Sequence, residues 1–399
     1  MARLDPFYAT IYNADHVVAD DVIAPPYDIG APARAGLAAR SSYNAIHVEL
    51  PVAVPELGMD PYRAAADLFE QWHCEGTLAV TDRPCFALYR MTFRDEGGTL
   101  RTTVGVLGAL GLDPEHTGQV LPHEQTIARD RHDRLSLLRT ARTNFSPIWA
   151  LSLADGFANL CESAVAKARE PWRATDEDGV LHERWIVTDA GVLSALSELA
   201  ATAPVLIADG HHRYETACAY LEEDPARRGA DAVLALVGEL SEQELSVRAI
   251  HRLVRGVDPV GFARDLERSF VVSDGPDDPV ALREEMRSRG ALGLLSTAGS
   301  WLLEPRPELL DPAADDLDSS RLAAVLGHLG VNDVSYQHGV HEVVTAVKNG
   351  VADAAVLLRP ASIEQIAATA RGRRRMPPKS TFFWPKPRTG MVFRELERA

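Results

Sequence analysis

Apolar positions along the chain form runs with two different periods. Cys85–Phe93 and Thr99–Leu112 are dense and β-rich, and Asp95-Glu96-Gly97-Gly98 between them is a hairpin signal. Ile46-His47-Val48-Glu49-Leu50 alternates with period two and predicts a strand. Ser146–Leu153, Trp185–Thr188, Pro204–Ala208, Ala232–Glu239 and Val247–Val254 read as further strands. Helical spacing appears elsewhere. Asp60-Pro61 opens a helix, with Pro at its first position, that runs to Cys74 and stops at Gly76. Residues 134–143, Ala154–Glu170 (stopped by Pro171), Ala190–Ala201 and Tyr214–Leu221 predict four more. The start, Pro6 to Gly30, reads as loop, with Ala24-Pro25-Pro26-Tyr27-Asp28 stiff and extended.

The character changes near residue 257. Val260–Ser269, Val280–Arg289 and Ser319–Leu329 predict helices, Ala291–Ser296 and Ser300–Glu304 a hairpin, and Ala352–Leu358 a strand. We therefore expect a mixed α/β (α+β) protein in three parts. Residues 1–256 form a catalytic domain, 257–375 a smaller α/β module that caps a cleft or dimerises the chain, and 376–399 a strand or tail returning to the main domain.

Composition is that of an ordinary globular protein, 46% hydrophobic and 25% charged, and 399 residues suffice for two or three domains. A net charge of −16 argues against a broad nucleic-acid face, so an anionic substrate needs a local basic site. The four cysteines are scattered, which fits thiols in a reducing cytoplasm. Met1 is followed by Ala-Arg-Leu-Asp-Pro rather than an apolar signal region, and no apolar run approaches membrane-spanning length. The expectation is a cytoplasmic protein that binds neither membrane nor nucleic acid.

Residues 207–217, Ile-Ala-Asp-Gly-His-His-Arg-Tyr-Glu-Thr-Ala, say most about chemistry. A strand, a glycine turn and a helix start bring backbone N–H groups and the positive helix end to one point. Asp209, His211, His212 and Arg213 sit there, a set suited to phosphate. The structural alternative is an Asp N-cap on a solvated first turn. Adjacent histidines diverge by about 100° on a helix, so a tetrahedral zinc is hard to build. Asp209 with a nucleotide and Mg²⁺ is easier. Walker A, GxSxG, kinase HRD or DFG, and GxGxxG signatures do not occur.

A second cluster, Pro122-His123-Glu124-Gln125-Thr126 with Asp130-Arg131-His132-Asp133-Arg134, offers a general base and phosphate-gripping arginines, against the alternative of a solvated loop. A third is the basic stretch Arg371–Lys379, followed by Ser380, Thr381 and aromatics. It is too short in an acidic protein to suggest single-strand binding, and Lys379 is instead a candidate phosphate contact. Asn144 and Ser146 are candidates to line the pocket. His251-Arg252 ends an apolar run, where a core histidine is the simpler reading.

Six ordered blocks resemble the signatures of the domain of unknown function 1015 family: Ala24–Asp28, Asn44–Pro51, Pro122–Thr126, Asn144–Ile148, Ala208–Ala217 and Met376–Thr381. The match spans nearly the whole chain. Members are often encoded beside phosphoglycerate dehydrogenase and phosphoserine aminotransferase, which points toward serine or phosphoserine metabolism. The Asp-Gly-His-His-Arg block is also similar to that of the ParB/sulfiredoxin-like superfamily, whose mixed-sheet core binds nucleotide phosphates and which includes free serine kinases. Inserted hairpins would enlarge that core here.

These resemblances imply that Asp209, Gly210, His211, His212 and Arg213 meet the phosphates, with Mg²⁺ on Asp209. Glu124 is implied as the base on a substrate hydroxyl, with Asp209 and His212 as the other catalytic groups. Arg131, Arg134 and Arg252 are candidates for an amino-acid carboxylate. The expected activity is an ATP- or ADP-dependent, Mg²⁺-assisted kinase for a small hydroxyl metabolite, L-serine first. The alternatives are a phosphoserine phosphohydrolase and a nucleotide-binding switch or scaffold. A homodimer is compatible with either.

Overall fold

The computed structural model describes the chain except residues 1, 28, 54–57, 123–130, 308–316, 373, 378 and 399 and the side chains of Arg131 and Arg398. It is mixed α/β, and its described residues divide into two units, one within 1–122, 131–246 and 385–399, the other within 247–384.

The first unit is built on a nine-stranded mixed sheet. Its path runs Val120–Pro122, Val205–Asp209, Ile148–Ser152, Ala232–Glu239, Leu100–Gly111, Phe86–Arg94, Leu181–Val187 and Trp172–Thr175, and Leu4–Asp5 pairs beside the long strand. Val205–Asp209 is parallel to Val120–Pro122 and antiparallel to Ile148–Ser152. Flanked on both sides, it is a continuous apolar run whose first four residues are buried and whose last, Asp209, is not. The hairpin expected around residues 95–98 is present, with Phe86–Arg94 antiparallel to Leu100–Gly111.

A second core lies among the helices. Helix Pro61–Cys74 starts as predicted, with the Asp60 side chain accepting from Tyr62 N and Pro61 in the first turn. It buries Ala65, Phe69 and Trp72 against Ile46, Val48, Phe145 and Phe393. Phe393 comes from the far end of the chain, where Arg394–Glu395 pairs with Thr143–Asn144.

The strand expected at Ile46–Leu50 is instead a single helical turn, Ile46–Glu49. Asn44 decides it. Its Oδ1 accepts from Ile46 N at 2.9 Å and its Nδ2 donates to the carbonyls of Asp21 and Ile23. Such local side-chain bonds give the backbone an alternative that apolar alternation does not reveal. The turn carries the Glu49 side chain inward with Ile46 and Val48. The start read as loop holds a short strand, Thr10–Tyr12, and the edge strand Trp172–Thr175 was not legible beside Pro171.

The second unit is a six-stranded antiparallel sheet in the order Phe270–Asp274, Gly299–Pro305, Leu292–Ser296, Ala354–Leu357, His251–Val254, Val334–Gln337. Helices Pro259–Leu266, Pro279–Arg289 and Asp318–Leu329 follow the prediction within a few residues. The second unit takes up the chain at residue 247, and its strand His251–Val254 is buried throughout although it carries His251 and Arg252. No helix among the described residues is long and apolar enough to cross a membrane.

His251 is a core residue, as its apolar context suggested. It is 5% exposed, and its Nδ1 accepts from Leu358 N at 3.1 Å, so the neutral imidazole is the one that fits. Burial, with the charges of Arg283, Arg252 and His338 adding, pushes its pKa down to about 3. In the first unit burial also lowers the pKa of His182. A histidine that must be neutral when folded contributes fully above the unfolded value near 6.5 and loses that contribution as pH falls. For His251 the loss between pH 6.5 and 5 is about 2 kcal/mol. The urea midpoint is expected to drop over that interval, and by less in His251→Gln. An unchanged midpoint between pH 7 and 5 would contradict the buried neutral imidazole.

Candidate active site

The site is built where strand Val205–Asp209 passes into helix His211–Glu223. A register shift between Ile207 and Asp209 against the neighbouring strand leaves Ala208 as the extra residue and pairs Asp209 with Trp149. Gly210 follows at φ +91°, a left-handed conformation that only glycine adopts cheaply. A Cβ there would also meet Arg213 and Ile148 at 3.0 Å. Asp209 is not the helix N-cap; Gly210 is, and the carboxylate is released for other partners.

Those partners are two cations. Asp209 Oδ2 accepts from Arg213 Nη2 at 2.6 Å, and Oδ1 pairs with Lys386 Nζ at 2.8 Å. Burial pushes the Asp209 carboxyl up. Lys386 and Arg213, with help from His211, outweigh it and hold the group well below the usual carboxylate range. Asp209 is thus a fixed negative charge between two cations.

Lys386 reaches the site because the chain after it is pinned. Arg388 Nε donates to Asp176 Oδ2 and Nη1 to Glu177 Oε1, both at 2.8 Å. Asp176 also accepts from His182 Nε2 at 3.0 Å, whose Nδ1 meets the Tyr89 hydroxyl at 2.7 Å. Arg184 donates to Met391 O at 2.6 Å. These buried groups fix the strap that delivers the lysine.

Arg213 is the hub in the other direction. Its Nη1 donates to Ser146 Oγ at 3.0 Å and to Pro147 O. Ser146 Oγ donates to Glu49 Oε1 at 2.8 Å. Arg134 Nη1 donates to Glu49 O at 2.7 Å and lies 3.6 Å from Glu49 Oε1. Arg134 is held from behind by Asp133, itself hydrogen-bonded by the Tyr62 hydroxyl at 2.6 Å. The Tyr27 ring lies under Arg134, 4.6 Å from its guanidinium carbon, and its hydroxyl meets His212 Nδ1 at 3.3 Å. Burial pushes the Glu49 carboxyl up, against the pull of Arg134, Arg213 and Ser146.

Of the residues singled out from sequence, Asp209, Gly210, His211, His212, Arg213, Arg134 and Ser146 converge in this unit. Asn144 also lies here, with Oδ1 accepting from Leu234 N at 3.0 Å and from Arg394. Glu124 lies outside the described residues, as does the side chain of Arg131. Arg252 and Lys379 belong to the other unit. Arg252 donates to Ile250 O at 2.7 Å and lies over Tyr336. Lys379 has a left-handed backbone, φ +59°. The lysine beside Asp209 is Lys386, one residue into the Pro385-Lys386-Pro387 run.

Glu49, Lys386, Tyr27 and Asp133 were not singled out as site residues. Glu49 and Tyr27 lie in quoted signature blocks, and an acid inside an apolar run was the available signal for the former. Asp209 does not fit a resident metal. Both its oxygens are taken by cations, and no group of three His, Cys, Asp or Glu suited to a metal occurs among the described residues.

A family model described as protein of unknown function (DUF1015) matches residues 4–322. The chain belongs to that family. No curated protein matches it in sequence. Among solved structures, a conserved hypothetical protein from Pyrococcus furiosus is 14% identical over 69% of this chain and 90% of its own, with a TM-score of 0.38. A free serine kinase in complex with AMP is 13% identical over 69% of this chain and 86% of its own, TM-score 0.40. SbnI from Staphylococcus aureus, truncated at its C-terminus, is 13% identical over 71% of this chain and 84% of its own, also 0.40.

Two substitutions test the local geometry. Gly210→Ala is expected to cost about 1–2 kcal/mol for the left-handed backbone. Arg213→Ala is expected to cost more, about 3–5 kcal/mol, because it strips a mostly buried carboxylate of one partner. Denaturant titration of both variants checks the order. Arg213→Ala at wild-type stability would show that the hub carries no structural weight.

Proposed function

We propose that this protein is a nucleotide-dependent phosphotransferase acting on a small hydroxyl metabolite, with L-serine the first acceptor to test and ATP or ADP the donor. The observation that carries the reading is the pair of cations, Arg213 and Lys386, oriented by one ionised carboxylate at the start of helix His211–Glu223. Phosphoryl transfer asks a protein mainly for positioning and charge neutralisation. The phosphate oxygens would be met by Lys386, Arg213, His211, His212 and the first backbone N–H groups of the helix. The choice of serine rests on the resemblance of the Asp209–Arg213 block to free serine kinases.

Mg²⁺ enters as part of the metal–nucleotide substrate. Asp209 then orients its two cations. Glu124 is carried in the proposal as the base that takes the acceptor's hydroxyl proton, on the sequence resemblance alone. The hydroxyl oxygen attacks the terminal phosphorus, the bond to the bridging oxygen breaks, and the shortened nucleotide leaves with the electron pair.

A ³¹P NMR time course with L-serine, Mg²⁺ and ATP or ADP tests this, with phosphoserine alone as the parallel sample. Nucleotide-dependent appearance of phosphoserine is expected, lowered by a factor of about 10²–10³ in Asp209→Asn. Phosphate release from phosphoserine without nucleotide would replace the kinase with a phosphohydrolase. Nucleotide binding with no phosphorylated product would leave a switch or scaffold.

A further inference from the structure

Behind Arg213 the first unit holds a cavity that the phosphate-binding reading does not use. It leaves about 50 Å³ open to the centres of water-sized groups. One water needs roughly 10–15 Å³ on that measure, so there is room for about three to five such groups, which limits an occupant to a small metabolite. Its polar wall includes Glu49, Arg134, Ser146, Arg213 and Thr216, and Leu138 and Val233 form part of the apolar wall.

Two atoms among the lining residues lack protein partners. Thr216, 3% exposed, has Oγ1 buried with no hydrogen bond among the described residues, and the same holds for Arg213 Nε. Buried polar atoms are almost always satisfied, and both exceptions belong to residues that line this cavity. Glu49 is the one acid among the described lining residues, its side chain 3% exposed and flanked by Arg134. An acid, two guanidiniums and a hydroxyl around a small, partly apolar space complement a group with both charges, an ammonium beside a carboxylate.

We propose that this cavity is the acceptor subsite and that it selects a small α-amino acid. Glu49 and Thr216 take its ammonium, and Arg134 and Arg213 take its carboxylate. The assignment rests on the phosphotransferase reading for its purpose, though not for its geometry. Arg213 belongs to both places, since its Nη2 holds Asp209 while the same side chain lines the cavity. An acceptor seated there lies one guanidinium away from the phosphate cluster.

Calorimetric titration of the full chain with L-serine and with 3-hydroxypropionate, which lacks the ammonium, tests the subsite without any turnover. Wild type is expected to bind L-serine at least tenfold more tightly, and Glu49→Gln to erase that preference. Thr216→Val keeps the shape and removes only the unpartnered hydroxyl. It should weaken L-serine severalfold with the melting temperature unchanged or raised, an outcome a purely structural threonine would not give. Should Glu49→Gln fail to fold, Thr216→Val decides alone. Failure of wild type to bind L-serine at millimolar concentration, or an unaltered preference in Glu49→Gln, overturns the subsite. An intact preference with no phosphoserine formed sinks the kinase and leaves the subsite. Phosphoserine formation with unchanged KM for serine in both variants does the reverse.

Discussion

One carboxylate organises the first unit's chemistry. Asp209 ends a buried strand and must stay ionised there, which it does only because a guanidinium and an ammonium share it. Charge-assisted bonds of this kind are strong where water is scarce, and losing one partner is costly. The requirement reaches through the chain. Arg213 comes from the next helical turn, and Lys386 comes from a strap near the C-terminus. The strap in turn needs Arg388 on Asp176, with His182 and Tyr89 completing that buried set. The distal network stabilises the fold, and through Lys386 it also sets the charge at the site.

The same arginine joins two kinds of environment. Toward Asp209 it faces groups with residual exposure, where an anion can exchange for protein contacts. Toward Ser146 and Glu49 it lines a cavity with a partly apolar wall. Opposite demands on one planar, rigid side chain explain why lysine would be a poor substitute. An ammonium cannot serve Asp209, Ser146 and Pro147 together.

The strand–turn–helix at Pro204–Leu221 was legible because its signals are local: an apolar run, a glycine, and a burst of polar residues at a helix start. The same is true of the hairpin at 95–98 and of the proline-led helices. What was not legible depends on distance along the chain. Nothing in the alternation of Ile46–Leu50 says that Asn44 will bond Ile46 N at the start of a turn that brings Glu49 to Ser146, 97 residues away. The basic run ending at Lys379 makes that residue a candidate phosphate contact, but no local signal marks Lys386, whose ammonium pairs with Asp209. A stretch of basic residues marks composition, whereas the position of one ammonium is set by Arg388 two residues later.

The central claim is that the cations around Asp209 are held for a phosphate. Its most direct test is calorimetric titration of Mg²⁺–ATP into the full chain, wild type against Lys386→Met, a change that keeps the side chain's bulk and removes its charge. The account predicts one site in wild type and an affinity at least tenfold weaker in the variant, with both proteins folded. Equal affinity in the two, or no binding to the wild type, would contradict it.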